Sequence, residues 1–269
     1  MRKTPRLFPR LLLGTLLLLP ALGSPQAQAE TSQEKGLRLV QEADKQDFGY
    51  VDLTAQLEMV LTNRQGDSSS RKIRIKMKEV ADDGDMSLSV FDTPADVKGT
   101  VMLTHSHAVK PDDQWMFLPA VKRVKRIASR NKSGPFMGSE FAFEDLASQE
   151  VAKYTYNYLR DEVIDGRDSW VIERRPAYAY SGYTRQEVWL DKVRLQPNQV
   201  IYYDRKNDLL KTQTFSGYQQ YLGRYWRPSL MLMVNHQTHK QTTLSWLDYR
   251  FKNGFSDREF HKDGMQRTR

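Results

Sequence analysis

The chain has 269 residues, with 41 Lys and Arg against 33 Asp and Glu and no cysteine. The lack of cysteine excludes disulfides, thiolate metal sites, cysteine catalysis and an N-terminal lipid-modified cysteine. Four of the positive charges (Arg2, Lys3, Arg6 and Arg10) precede residue 30 and no acid does, so the formal +8 of the whole chain becomes +4 beyond that point, a modest excess that speaks against nucleic acid as partner.

The N-terminus reads as an address. Its basic residues, the apolar run from Leu11 to Leu19, Pro20 and the small-residue site Ala27-Gln28-Ala29 before Glu30 make the pattern of a secretory signal peptide over residues 1–29. The run is shorter than the roughly 20 residues of a bilayer span. The expected product is a soluble periplasmic protein beginning at Glu30, with an uncleaved N-terminal anchor as the alternative. A cysteine-free chain of this length fits that compartment when its core is large enough to stand without disulfides.

Thr31 and Glu34 have capping-box spacing, and Leu37, Val40 and Ala43 recur at helical intervals up to Phe48-Gly49. One amphipathic helix is therefore expected there. The period then changes to two: Val51, Leu53, Ala55, Leu57, Met59 and Leu61 form one strand pattern, and Ile73, Ile75 and Met77 a second. The turn residues Arg64-Gln65-Gly66-Asp67-Ser68 between them predict an antiparallel hairpin. Short strand patterns continue from Met86 to Phe251, punctuated by turns such as Asp82-Asp83-Gly84-Asp85, Asp165-Gly166 and Lys206-Asn207-Asp208, with Tyr225 to Val234 read as one strand. About eleven strands without βαβ alternation predict a mainly β domain, a single strongly curved antiparallel sheet or barrel. Whether its interior is filled or hollow does not follow from the pattern. The run Leu230-Met231-Leu232-Met233-Val234 suits either an adaptable apolar pocket or a methionine-rich core.

The segment Gly134-Pro135-Phe136-Met137-Gly138-Ser139-Glu140-Phe141-Ala142-Phe143-Glu144-Asp145-Leu146 joins two glycines, large apolar side chains and three carboxylates. Gly134 and Gly138 admit backbone angles closed to other residues, Ser139 stands at an N-cap position, and the acids follow on the favourable end of a helix dipole. The expectation is a glycine-hinged loop running into a short amphipathic helix. Its side chains Phe136, Met137, Phe141, Phe143 and Leu146 then cover an apolar surface, either as a lid or as a plug in a core. Just upstream, Lys122, Arg123, Lys125 and Arg126 interleave imperfectly with Val121, Val124 and Ile127, which reads as a solvated strand face or as a docking patch.

No nucleophile elbow, phosphate-binding glycine loop or zincin helix occurs. His105 and His107, like His236 and His239, lack a third ligand at motif spacing, so metal binding is not the expected use. For Glu140, Glu144 and Asp145, stabilisation of a helix N-terminus or solvent-facing ion pairs is the expectation.

Three blocks in order, Trp115 to Pro119, Val121 to Ile127 and Gly134 to Leu146, resemble the signature of the LolA-like outer-membrane lipoprotein-sorting family, in particular the branch that accompanies inner-membrane RND or MMPL-type transporters. Glu187-Val188-Trp189-Leu190-Asp191 with Pro197, and Tyr225-Trp226-Arg227-Pro228, extend the likeness over most of residues 30–269. The family commonly has aspartate at Glu140 and tyrosine at Phe143, so charge and aromatic bulk are kept. The resemblance implies an unclosed antiparallel barrel with capping helices, no enzymatic activity, no cofactor, and an apolar cavity that shields a lipid or lipoprotein acyl chains on the way to the outer membrane. On this reading Trp115, Phe117, Trp189 and Met231 are wall candidates, and Phe136, Met137, Gly138, Phe141, Phe143 and Leu146 belong to the lid or rim. Lys122, Arg123, Lys125 and Arg126 are candidates for docking on the transporter, and the protein is expected to act as a monomer. The rival reading is a non-catalytic accessory module of such a transporter that carries no lipid.

Overall fold

The computed structural model describes residues 29–268. All of the expected signal peptide except Ala29 lies outside them. Helix α1 (Ser32–Asp47) begins at the expected capping box: the Thr31 hydroxyl accepts the Glu34 amide at 3.2 Å, and the Glu34 carboxylate accepts the Thr31 amide at 2.8 Å. Among the described residues no helix is long and apolar enough to cross a membrane.

Among the described residues fifteen strands follow: β1 (Asp52–Thr62), β2 (Ser68–Lys78), β3 (Met86–Thr93), β4 (Val101–His105), β5 (Asp113–Leu118), β6 (Arg123–Arg126), β7 (Tyr154–Ile164), β8 (Arg167–Pro176), β9 (Arg185–Asp191), β10 (Pro197–Tyr203), β11 (Leu209–Ser216), β12 (Gln219–Tyr221), β13 (Tyr225–Arg227), β14 (Leu230–Asn235) and β15 (Lys240–Phe251). Thirteen of them form one antiparallel sheet in the order β6-β5-β4-β3-β2-β1-β15-β14-β11-β10-β9-β8-β7, and β12 and β13 form a separate ribbon. The count exceeds the expected eleven for local reasons. The basic run read as a solvated strand face is the short edge strand β6, the three-residue β12 is too brief to show a period, and Pro228, which has no amide hydrogen, separates β13 from β14 where one strand was expected.

The sheet is curved but not closed, since β6 and β7 each pair on one side only. These two edges are consecutive in the chain, and residues 127–153 connect them. That connection contains the glycine- and phenylalanine-rich segment, so the topology carries the segment from one edge to the other across the opening.

Both faces of the sheet are covered. On the concave face, Ala55, Leu57, Met59, Ile73, Ile75, Phe91, Met102, Met116, Val200, Tyr202, Met233 and Leu244 form the largest buried cluster, joined by Phe136 and Phe141 from the connecting segment. On the convex face, Leu88, Val90, Val101, Leu103 and Phe117 lie beneath Phe260 and Met265 of the C-terminal segment. The Asp52 carboxylate anchors that segment by accepting the amides of Asn253 (2.6 Å), Gly254 (2.9 Å) and Phe255 (3.0 Å). Helix α1 packs on β7 so closely that a Cβ added at Gly36 would stand 2.9 Å from the Tyr158 amide nitrogen. Leu39 is buried there among Tyr154, Tyr156, Ile172 and Leu190.

Candidate functional site

The concave face is filled at one end and hollow at the other. The hollow is a cavity of about 850 Å³, with α1 on one side through Val40, Ala43, Asp44, Asp47 and Phe48, and the apolar strand residues Leu57, Met59, Ile73, Ile75, Val200 and Leu244 among its lining. That volume lies in the range of roughly 300–1,000 Å³ in which proteins bury small ligands.

The filled end is made by residues 134–146, and local geometry explains how. The Phe136 amide donates to the Phe141 carbonyl (2.7 Å) and the Phe143 amide to the Gly134 carbonyl (3.1 Å), giving a tight hairpin-like loop. Its tip uses left-handed angles at Met137 (φ 50°) and Gly138 (φ 76°). The expected amphipathic helix is only a single 3₁₀ turn, Phe143–Leu146, and its cap is not Ser139. The Asp145 carboxylate accepts the Ala142 amide at 2.7 Å, while the Ser139 hydroxyl, deep in the loop, donates to the Phe136 carbonyl at 2.7 Å.

Of the two expected roles for these carboxylates, Asp145 fills the first by capping the 3₁₀ turn, and solvent-facing ion pairs are not what the segment forms. Asp145 accepts Lys211 Nζ (2.7 Å) and the Tyr183 hydroxyl (2.8 Å), and Lys211 Nζ also donates to the Glu140 carbonyl (2.8 Å). Glu144, 5% exposed, accepts the Gly182 amide (2.7 Å) and the Ser181 (2.9 Å) and Tyr178 (3.2 Å) hydroxyls. Burial, with Asp145 beside it, raises the Glu144 carboxyl above its ordinary range. The Glu140 carboxylate accepts Asn235 Nδ2 (2.6 Å), and Gln114 Nε2 donates to the Phe143 carbonyl (2.8 Å). The segment is therefore pinned to β5, β11, β14 and the loop before β9 by buried polar contacts, which are costly to leave unpaired.

The cavity lining includes Phe136, Phe141, Leu146 and Met231. Met137 and Phe143 pack against the same core behind that lining, Phe143 edge-on to Phe136 at 5.6 Å. Gly138 borders a small polar groove with Glu140, Asn63 and Lys240 at the filled end. Three expected wall residues need correction. Trp115 and Phe117 belong to the convex cluster, because strand alternation turns Met116 inward instead. Trp189 likewise alternates with the lining residues Val188 and Leu190 and lies beneath the Arg160 guanidinium, 5.7 Å from its ring. Lys122, Arg123, Lys125 and Arg126 are exposed on and beside the edge strand β6, with Arg126 paired to Asp113. His105 bonds the Phe260 carbonyl, and His107 lies between Asp83 (2.8 Å) and Asp113 (3.3 Å).

Sequence reasoning missed the contribution of α1 and of the acidic turn Asp82-Asp83-Gly84-Asp85 to the cavity mouth. The capping box announced the helix but not what its C-terminal turns would border. The acidic turn read as punctuation between strands.

A family model carrying the description "-like: Uncharacterized protein" matches residues 83–267. No curated protein sequence matches the chain. A solved domain from Vibrio parahaemolyticus, described as an outer-membrane lipoprotein-sorting protein, is 53% identical with a TM-score of 0.86, covering 87% of this chain and 99% of that one. A DUF1329 family protein from Desulfovibrio piger is 30% identical with a TM-score of 0.83, covering 88% of this chain and 100% of its own. A LolA superfamily protein from Nitrosomonas europaea shares the fold at 21% identity, with a TM-score of 0.68 and coverage of 87% and 99%.

Proposed function

Since this chain belongs to the outer-membrane lipoprotein-sorting family of its 53% identical relative and shares the LolA fold, we propose that it is a periplasmic carrier that shields a lipid, or the acyl chains of a lipoprotein, on the way to the outer membrane. The observation that carries this reading is the apolar-floored cavity of about 850 Å³ under α1. An acyl chain gains roughly 0.8 kcal/mol per methylene on leaving water, so free passage across an aqueous compartment is strongly disfavoured and a protein cavity offsets the cost. On this reading the protein carries and does not catalyse, and the chain offers no thiol nucleophile. An inner-membrane transporter of the RND or MMPL type is the proposed donor, with the exposed cations Lys122, Arg123, Lys125 and Arg126 on the β6 edge as its docking surface.

Native mass spectrometry of protein purified without delipidation tests the proposal. Co-purifying lipid, displaced by a fluorescent fatty acid, is the expected result. A second reading is favoured by the filled end of the concave face: an accessory module that binds the transporter and carries nothing. A ligand-free protein that binds no acyl probe but holds a transporter tightly would replace the first reading with the second.

A further inference from the structure

The mouth of the cavity is chemically unlike its floor. Carboxylates outnumber cations in its lining, where Arg174 and Arg227 are the arginines: Asp44 and Asp47 stand on the last turns of α1, Glu79 just after β2, Asp82, Asp83 and Asp85 in the turn before β3, and Glu150 just before β7. They are close enough to act on one another, Glu79 and Asp47 on Asp85, and Asp85 and Asp44 on Glu150. Burial first and this crowding second lift Asp85 to about 6 and Glu150 to about 7. Asp44 and Asp47 also sit at the negative end of the α1 dipole, where acids are disfavoured.

The protein's own contacts compensate part of this charge. Asp47 pairs with Arg227 at 2.6 Å, Glu79 accepts the amides of Gly49 (2.8 Å) and Val51 (2.6 Å), and Asp85 accepts the Tyr50 hydroxyl at 2.9 Å. Lys153, which favours the charged form of Glu150, is itself paired with Asp112. Asp44 and Glu150 take no hydrogen bond or close ion pair among the described residues. The ring is spread rather than convergent: among the described residues no three acidic or histidine side chains come together as metal ligands. The wall offers one further polar group, a donor suited to an acceptor below the head of an amphiphile. Trp246 lines the cavity, and its buried indole N–H has no acceptor among the described residues.

We infer that the cavity selects amphiphiles with a positively charged head, an ammonium or protonated amine seated among Asp44, Asp85 and Glu150 while the chain lies on the apolar floor. This inference rests on the carrier reading above and names the class of its cargo. A spread ring of carboxylates at a partly desolvated rim suits a bulky, delocalised cation better than a compact one. It also repels an anionic head of the same chain length.

The test is calorimetric titration of the full chain at pH 8 with three probes of equal chain length: dodecyltrimethylammonium, dodecyl maltoside and dodecyl sulfate, all below their micellar concentrations, with circular dichroism on the same samples. The expected order is cation tightest by about tenfold or more over the neutral probe, and anion weakest, with the preference shrinking as salt is added. In the double variant Asp44→Asn, Glu150→Gln the cation-to-neutral ratio should fall toward one. Equal binding of cation and neutral probe, or a ratio untouched by the double variant, overturns the inference while leaving the carrier reading intact. If none of the three binds, the carrier reading fails and the inference falls with it.

Discussion

The two ends of the concave face are built from the same strands yet solve opposite problems. At the filled end, Phe136 and Phe141 complete a core that the strands alone leave open, and buried polar ties from Glu140, Glu144 and Asp145 hold them there. At the open end the connecting segment contributes only its last stretch, Ala147 to Val151, to the lining, and α1 borders a hollow whose rim carries charges that the protein itself compensates incompletely. Ionisable groups thus do different work at each end: where every partner is present they lock packing, and where partners are missing they advertise a site.

The largest expected effect comes from breaking the lock. Lys211→Met removes the cation that meets Asp145, both side chains being nearly fully buried, and leaves a carboxylate without its charge partner. Loss of one partner of a buried pair costs roughly 3–5 kcal/mol. Chemical denaturation should show that loss, and the double variant Lys211→Met, Asp145→Asn should recover part of it. An exposed pair would cost far less, so a loss below about 1 kcal/mol would show that the filled end is not locked in this way.

A charge placed at each end sharpens the contrast. Phe141 is 3% exposed and Phe48, at the mouth, is 57% exposed. Phe141→Asp should cost several kcal/mol, enough to leave the variant largely unfolded by circular dichroism. Phe48→Asp should fold with a change within about 0.5 kcal/mol and act instead on binding of an acyl probe. Similar stability losses at the two positions would erase the distinction between plug and mouth.

Much of this architecture was legible in the chain, because its signals are local. The Thr31–Glu34 box starts α1 as expected, and the β1–β2 hairpin pairs Leu61 with Ser69 and Leu57 with Ile73 around the predicted turn. Resemblance located the connecting segment, and topology explains its importance, since it spans the gap between β6 and β7. What stayed hidden depends on distant partners. Alternation cannot say which face is concave when both are apolar, and the convex face of β4 and β5 is apolar because Phe260 and Met265 cover it from about 150 residues downstream. That covering segment has only short 3₁₀ turns, too brief to show a period. The carboxylates of the plug were misjudged for the same reason: Lys211 lies 66 residues beyond Asp145, and Gly182 lies 38 beyond Glu144.

The smallest effect probes the open end through pH. A carboxyl whose folded pKa is raised makes no difference to stability while it is protonated in both states. It then weakens the fold as pH climbs from its unfolded value toward its folded one. For Glu150 that window runs from the ordinary 4.5 to about 7, the rise coming from burial first, then Asp85, Asp44 and Asp112 against the opposing Lys153. Glu150→Gln cannot ionise, so it escapes the penalty. Its Tm relative to the parent protein should rise steadily between pH 4.5 and pH 7 and level off above. A difference for Glu150→Gln that stays flat across the window would mean that the mouth carboxylates do not crowd one another, and the two ends would then differ in shape but not in charge.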